Sequence, residues 1–176
     1  MIPKYEKLFD DEVKAFIGIS ESFAPKSVSN SVEEMRKSYN EMVKHFKQDR
    51  PSNVQAEDKI VEFKERSLSY RHYSKSSDNN SDLIYFHGGG FVLGDLESHD
   101  DICAEICDIT GCNVFSLDYS LAPEVKYPEF FLDAIRFYYF IKNPKRRLIL
   151  MGDSAGGTLA GFVSNKVRNV AIRPEA

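Results

Sequence analysis

After Ser31, apolar side chains recur at Val32, Met35, Tyr39, Met42, Val43 and Phe46, mostly in steps of three and four that place them on one face of a helix. Ser31-Val32-Glu33-Glu34 gives that helix a capping box, in which the serine and the glutamate each bond the other's backbone N–H. A weaker helical pattern covers Asp11 to Phe23, with Val13, Phe16 and Ile17 on one side. Pro51-Ser52-Asn53 is a turn-rich break and the only internal boundary, so the chain divides into an N-terminal helical region, 1–50, and a second region, 51–176.

Beyond the break the period changes. Lys59 to Phe63 and Leu68 to Tyr73 alternate in polarity and predict a hairpin at the edge of a sheet. After the polar loop Ser76 to Ser81, three short apolar runs read as strands, at Leu83 to Phe86, Asn113 to Leu117 and Leu148 to Met151. Helical patterns lie between and after them. One starts near Asp100 and stops at Gly111. One opens at Tyr127-Pro128 and carries Phe130, Phe131, Ala134, Ile135, Tyr138 and Tyr139, and the last covers Ala155 to Val167. Such alternation defines an α/β chain with a mostly parallel sheet covered on both faces. No internal repeat is present.

Gly152-Asp153-Ser154-Ala155-Gly156 sits where the third run meets the last helix. A Gly-x-Ser-x-Gly between strand and helix places a serine on a sharp turn, and the flanking glycines let neighbouring backbone pass close by. His87-Gly88-Gly89-Gly90-Phe91 follows the first run in the same way. Consecutive glycines leave backbone N–H groups open toward a developing oxyanion, which each donor stabilises by about 2.7–4 kcal/mol. A phosphate loop would need Gly-Lys-Ser/Thr, and a dinucleotide loop the G-x-G-x-x-G spacing; neither occurs.

With Asp118-Tyr119-Ser120-Leu121-Ala122-Pro123-Glu124 between them, and Gly90 to Asp100 and Thr110 to Val114 in support, these motifs resemble the hormone-sensitive-lipase family of α/β-hydrolases, most of all its bacterial acetyl esterases. The resemblance covers most of the chain from about Ile60. It implies an α/β-hydrolase sheet with N-terminal helices capping an acyl pocket, and a serine carboxylesterase acting on short-chain acyl esters. It further implies Ser154 as nucleophile and the amides of Gly88, Gly89 and Ala155 as oxyanion donors. His87, Gly90, Asp153 and Gly156 support the motifs, and Glu124 stands at the family's acidic loop position. An amidase or lactonase would use the same nucleophile.

The family orders its triad as serine, then aspartate, then histidine. After Ser154 the sequence holds no histidine, and Glu175 is its only carboxylate side chain; His45, His72, His87 and His99 all lie upstream. A serine hydroxyl depends on an adjacent base. The expectation is therefore an N-terminal part of the fold that lacks the C-terminal strands. It would be either an esterase whose base comes from a complementary C-terminal chain, or a catalytically silent half-domain or split-gene product. The tail Ala171 to Ala176 is expected to stop before the next strand. That would leave Leu148 to Met151 as an unpaired apolar edge that self-associates. The connection Asn143 to Arg147 looks shorter than the family usually has, and a small deletion there could displace the elbow.

Composition removes other classes. The 176 residues are 42% hydrophobic, with 23 basic and 27 acidic side chains and a formal charge of -4. The basic cluster Lys142 to Arg147 reads as a charged loop, not a nucleic-acid footprint. Met1 to Lys7 leads into no apolar h-region, and no run approaches a membrane span, so a cytoplasmic location is expected. Cys103, Cys107 and Cys112 read as buried free thiols. Neither a metal site nor a cofactor site is expected.

Overall fold

The computed structural model describes residues 8–24, 31–77, 79–168 and 174–175. Residues 1–7, 25–30, 78, 169–173 and 176 lie outside them. Two compact units are distinguished, Met1–Phe46 and Lys47–Ala176, with the division slightly ahead of the turn at Pro51.

The first unit holds helices α1 (Asp11–Ser22) and α2 (Val32–Phe46). Asp10 caps α1 by accepting the Val13 N–H at 2.8 Å. The capping box of α2 is formed as the sequence predicts. Ser31 N–H donates to Glu34 Oε2 at 2.9 Å, and Glu34 N–H donates to Ser31 Oγ at 3.1 Å.

The second unit is a mixed sheet of strands β1 (Gln55–Phe63), β2 (Arg66–Ser74), β3 (Ser81–Phe86), β4 (Asn113–Asp118), β5 (Arg147–Gly152) and β6 (Pro174–Glu175), in the order β1-β2-β4-β3-β5-β6. The hairpin β1–β2 is antiparallel and joins β4 antiparallel, while β4, β3, β5 and β6 run parallel. Helices α3 (Asp100–Thr110), α4 (Glu129–Ile141) and α5 (Ala155–Val167) make the connections. Gly111 ends α3 at φ 70°, its N–H returning to the Cys107 carbonyl, the left-handed cap that glycine favours.

Side chains alternate across β3. Leu83 and Tyr85 pack with Cys103, Ala104 and Cys107 of α3, and Ile84 and Phe86 pack with Ala134, Phe137 and Tyr138 of α4 and Leu159 and Val163 of α5. Both faces of the central strand are thus covered, which is why it reads as an unbroken apolar run. Burial pushes the Cys103 thiol up to about 12, so it packs as a small apolar group.

One expectation changes. Pro174 and Glu175 already pair with Leu148 and Ile149, so the strand carrying the elbow is partnered at its start on that side. Beyond Ile149, no strand covers that side of β5 among the described residues. No described helix is long and apolar enough to cross a membrane.

A charge network ties the hairpin to the start of α3. Arg71 donates to Asp58, Glu97 and Asp100, and Asp100 also accepts from Tyr73 and Arg50. Burial pushes the Asp100 carboxyl up, but the bonds from Arg50, Arg71, Tyr73 and Lys47 outweigh it and hold the group at about 2. Leaving this buried carboxylate unpaired would cost about 3–5 kcal/mol.

Candidate active site

The connection after β3 leads to α3 on one face of the sheet and the connection after β5 leads to α5 on the other, so the strand order reverses between these two turns at the carboxyl ends of the parallel strands. In open α/β sheets this reversal of strand order is where ligands bind. The turn after β3 is His87 to Phe91 and the turn after β5 is Gly152 to Gly156, so the topology brings the two glycine motifs together.

Ser154 stands between β5 and α5 at φ 50° and ψ -116°, a conformation that costs a side-chain-bearing residue about 1–3 kcal/mol. Its glycine neighbours explain how the turn closes. A Cβ on Gly152 would lie 2.5 Å from the Phe86 carbonyl oxygen, and one on Gly156 would overlap that same oxygen. Ser154 is exposed, and no hydrogen bond engages its hydroxyl among the described residues.

The oxyanion turn departs from the expected assignment. The Gly88 N–H donates to Asp153 Oδ1 at 2.8 Å, so it is already spent and is not a free donor. The N–H groups of Gly89, Gly90 and Ala155 have no partner among the described residues. Gly89 sits at φ 116°, where a Cβ would strike the Leu93 carbonyl, and its own carbonyl accepts from Val92 and Leu93 at 3.1 and 2.9 Å. Gly90, at φ 64°, has open space where a Cβ would stand. The next residue, Phe91, accepts the Ala122 N–H at 2.8 Å, tying the Leu121-Ala122-Pro123 loop to this turn.

The histidines divide by environment. His87 is fully buried, stacked on Tyr119 at 4.3 Å, and its Nδ1 lies 2.8 Å from the Gly88 carbonyl, which makes Nδ1 the donor. Tyr119 O–H donates to the His87 carbonyl at 2.7 Å. Burial lowers the His87 imidazole to about 4, so it is neutral near pH 7 and braces the loop from inside. His72 stacks on Phe115 between β2 and β4. His45 lies against Phe23 and Phe46 in the first unit. His99 has Nδ1 2.8 Å from Ser98 Oγ and Nε2 3.3 Å from Asp153 Oδ1. None of these rings is hydrogen-bonded to Ser154.

Asp153, beside Ser154, accepts from Gly88 N–H, from Tyr85 O–H at 3.0 Å and from His99. Burial pushes its carboxyl up, but His99, Tyr85 and Gly88 outweigh that and hold it at about 2. Asp153 is therefore a structural acceptor, ionised at any ordinary pH. Sequence reasoning placed His99 only at the start of a helix and gave Tyr85 only a place in a strand. Their shared carboxylate is a long-range contact that no local pattern records.

An elbow serine opposite a glycine-rich turn, at the switch point of a largely parallel sheet, defines an α/β-hydrolase. The chain belongs to that family: the alpha/beta hydrolase fold family matches residues 83–176. Within it, the chain sides with the hormone-sensitive-lipase group. It is similar to the acetyl esterase of Salmonella agona (strain SL483), 30% identical over 98% of this chain and 55% of that protein. A thermophilic and thermostable carboxylesterase cloned from a metagenomic library superposes with a TM-score of 0.73 at 32% identity, over 81% of this chain and 52% of that one. An esterase from the bacterial hormone-sensitive lipase family gives a TM-score of 0.76 at 26% identity, over 95% of this chain and 55% of that one. The chain thus spans about half the length of these relatives.

Proposed function

We propose that this chain carries the nucleophile and the oxyanion half of a serine carboxylesterase site that acts on short-chain acyl esters. The observation that carries the proposal is Ser154 held at φ 50° on the elbow, across from an oxyanion turn with unengaged N–H groups. The substrate class rests on the acetyl esterase relative, a similarity of sequence.

In this reading Ser154 Oγ bonds to the ester carbonyl carbon, and the carbonyl electron pair moves onto oxygen as the hydroxyl proton passes to a base. Gly89, Gly90 and Ala155 receive the oxyanion, with Gly88 fixing their register through Asp153 instead of donating. Collapse returns the electron pair and expels the alcohol, which takes up the proton. Water then repeats the sequence on the acyl-serine, releasing the acid and restoring Ser154. The base is assigned to a group outside these 176 residues, on further chain or on a complementary partner. Loss of a triad histidine costs about 10⁶ in kcat elsewhere, so its presence decides the activity.

Hydrolysis of a nitrophenyl acetate ester by the purified chain, beside Ser154→Ala, is the test. Serine-dependent turnover by the chain alone would place the base within it and overturn that assignment; turnover that appears only when a complementary C-terminal chain is added supports the proposal. Equality with the variant both with and without that chain favours the second reading, a catalytically silent half-domain; no imidazole lies on the Ser154 hydroxyl among the described residues.

A further inference from the structure

The segment from Gly88 to His99 leaves the Asp153 carboxylate and returns to it. At its start the Gly88 N–H reaches Asp153 Oδ1 at 2.8 Å, and at its end His99 Nε2 lies 3.3 Å from the same oxygen. Tyr85, just before the segment, adds its hydroxyl at 3.0 Å. The His99 side chain is almost completely buried while that of Asp153 is half exposed, so the imidazole approaches the carboxylate from the protein side. A Cβ on Gly88 would overlap Asp153 Oδ2, which shows how closely the carboxylate lies on the turn.

His99 is itself held from behind. Ser98 Oγ stands 2.8 Å from His99 Nδ1, accepts the Asp95 N–H at 2.9 Å and lies 2.9 Å from the Asp95 carbonyl. The Ser98 N–H donates to Asp95 Oδ1 at 2.7 Å, closing the turn. His99 thus spans from a braced turn to the carboxylate next to the nucleophile, with the His87 ring 5.6 Å and the Tyr85 ring 6.0 Å away.

We infer that His99 is a positioning residue: by donating Nε2–H to Asp153 it fixes the rotamer of that carboxylate, and through it the Gly88 amide and the register of the whole glycine turn. Its part in catalysis rests on the esterase reading above, whereas the link from His99 to Gly88 does not. An unfixed Asp153 would swing toward water on its exposed side. The Gly88 N–H would then lose its acceptor, and the following amides would lose their aim.

Asparagine and glutamine separate the two contacts of the ring. In His99→Asn the carboxamide nitrogen falls near the Nδ1 position and keeps Ser98 but cannot reach Asp153. In His99→Gln it falls near Nε2 and keeps Asp153. The measurement is the Gly88 amide in ¹⁵N-edited NMR spectra of the full chain, its shift and its exchange rate, beside nitrophenyl acetate kinetics of the same samples. His99→Asn is expected to move the Gly88 resonance and speed its exchange roughly fivefold, the effect of one lost hydrogen bond. His99→Gln leaves both near wild type. Any Ser154-dependent kcat falls roughly tenfold in His99→Asn with KM nearly unchanged and recovers in His99→Gln.

If the Gly88 amide is unmoved in His99→Asn, or the two variants behave alike, the inference is overturned whatever the kinetics. A shifted Gly88 in His99→Asn, recovered in His99→Gln, supports the link even where no variant or wild type turns over ester. Absence of turnover by the chain alone bears on where the base lies, not on this link; no turnover with a complementary C-terminal chain added sinks the esterase reading instead.

Discussion

Gly156 lies so close to Phe86 that a Cβ on the glycine would overlap the phenylalanine's carbonyl oxygen; helix α5 and strand β3 meet backbone against backbone. The contact sets the depth at which the elbow seats on the sheet. Gly156→Ala forces the helix outward, and relief of an overpacked site of this kind costs typically about 1–3 kcal/mol. A drop in Tm of several degrees is expected, whereas Gly161→Ala, where a Cβ meets nothing within 4 Å inside the same helix, is the control and should gain about 0.5–1 kcal/mol. Equal melting temperatures for the two variants would remove the close-approach explanation.

Ser154 offers a second stability test. Its φ of 50° strains any residue with a Cβ, and replacing the serine by glycine removes that strain along with the hydroxyl. Ser154→Gly should therefore be more stable than Ser154→Ala by about 1 kcal/mol, despite the greater chain entropy of glycine. Urea unfolding of the two variants measures the difference. An alanine variant as stable as the glycine one would show that the elbow is relaxed.

The response to acid sums opposing groups: Asp118, pushed up to about 6 by burial, favours the fold as pH falls from about 6 toward 4, while His87 and Asp153 act against it. His87 falls from 6.5 to about 4 on folding because burial disfavours its charge, so below 6.5 the unfolded chain binds a proton that the native chain refuses. Stability is then full above pH 6.5 and declines toward pH 4 by on the order of 3 kcal/mol from this group. His72 is also lowered by burial and acts with the same sign. Asp153, held at about 2 instead of 3.8, contributes stability that is lost only as pH falls from about 4 toward 2. Unfolding free energies at pH 7, 5 and 3.5 for wild type beside His87→Asn isolate the imidazole's share, the variant losing less stability on acidification. A slope unchanged by that variant would contradict the buried neutral imidazole.

The outer side of β5 gives a fourth expectation. Pro174 and Glu175 cover it only at Leu148 and Ile149, and Met151 is 43% exposed. Backbone left unpaired along an apolar edge pairs with other chains. The 20.1 kDa chain is expected to elute from a sizing column above its monomer mass, increasingly so at higher concentration. Met151→Lys should reduce that association. A monomer at all concentrations would mean the edge is protected.

Most elements were legible because their signals are local. The capping box at Ser31, the helix stop at Gly111 and the strand runs before Gly88 and Gly152 each depend on neighbours in sequence, and the structure places them within a few residues of their expected bounds. The identity of the oxyanion donors was not legible. Gly88, Gly89 and Gly90 are the same residue in the sequence and differ only in what surrounds them, a carboxylate on the turn after β5, more than sixty positions away, in the case of Gly88. The same holds for the histidines, since burial and partners, not spacing, make His87 a neutral brace and His99 a donor to Asp153.

The sequence by itself determined the α/β order of elements, the elbow serine and the glycine turn, because backbone conformation and hydrophobic period are written in short windows of chain. Only the tertiary structure decided that the first of the three glycine amides is committed to Asp153, that Tyr85 and His99 share its carboxylate, and that β5 has a neighbour at its start. Those outcomes depend on which strands the sheet sets side by side, and the energy of a contact between distant residues has no trace in the residues next to either one.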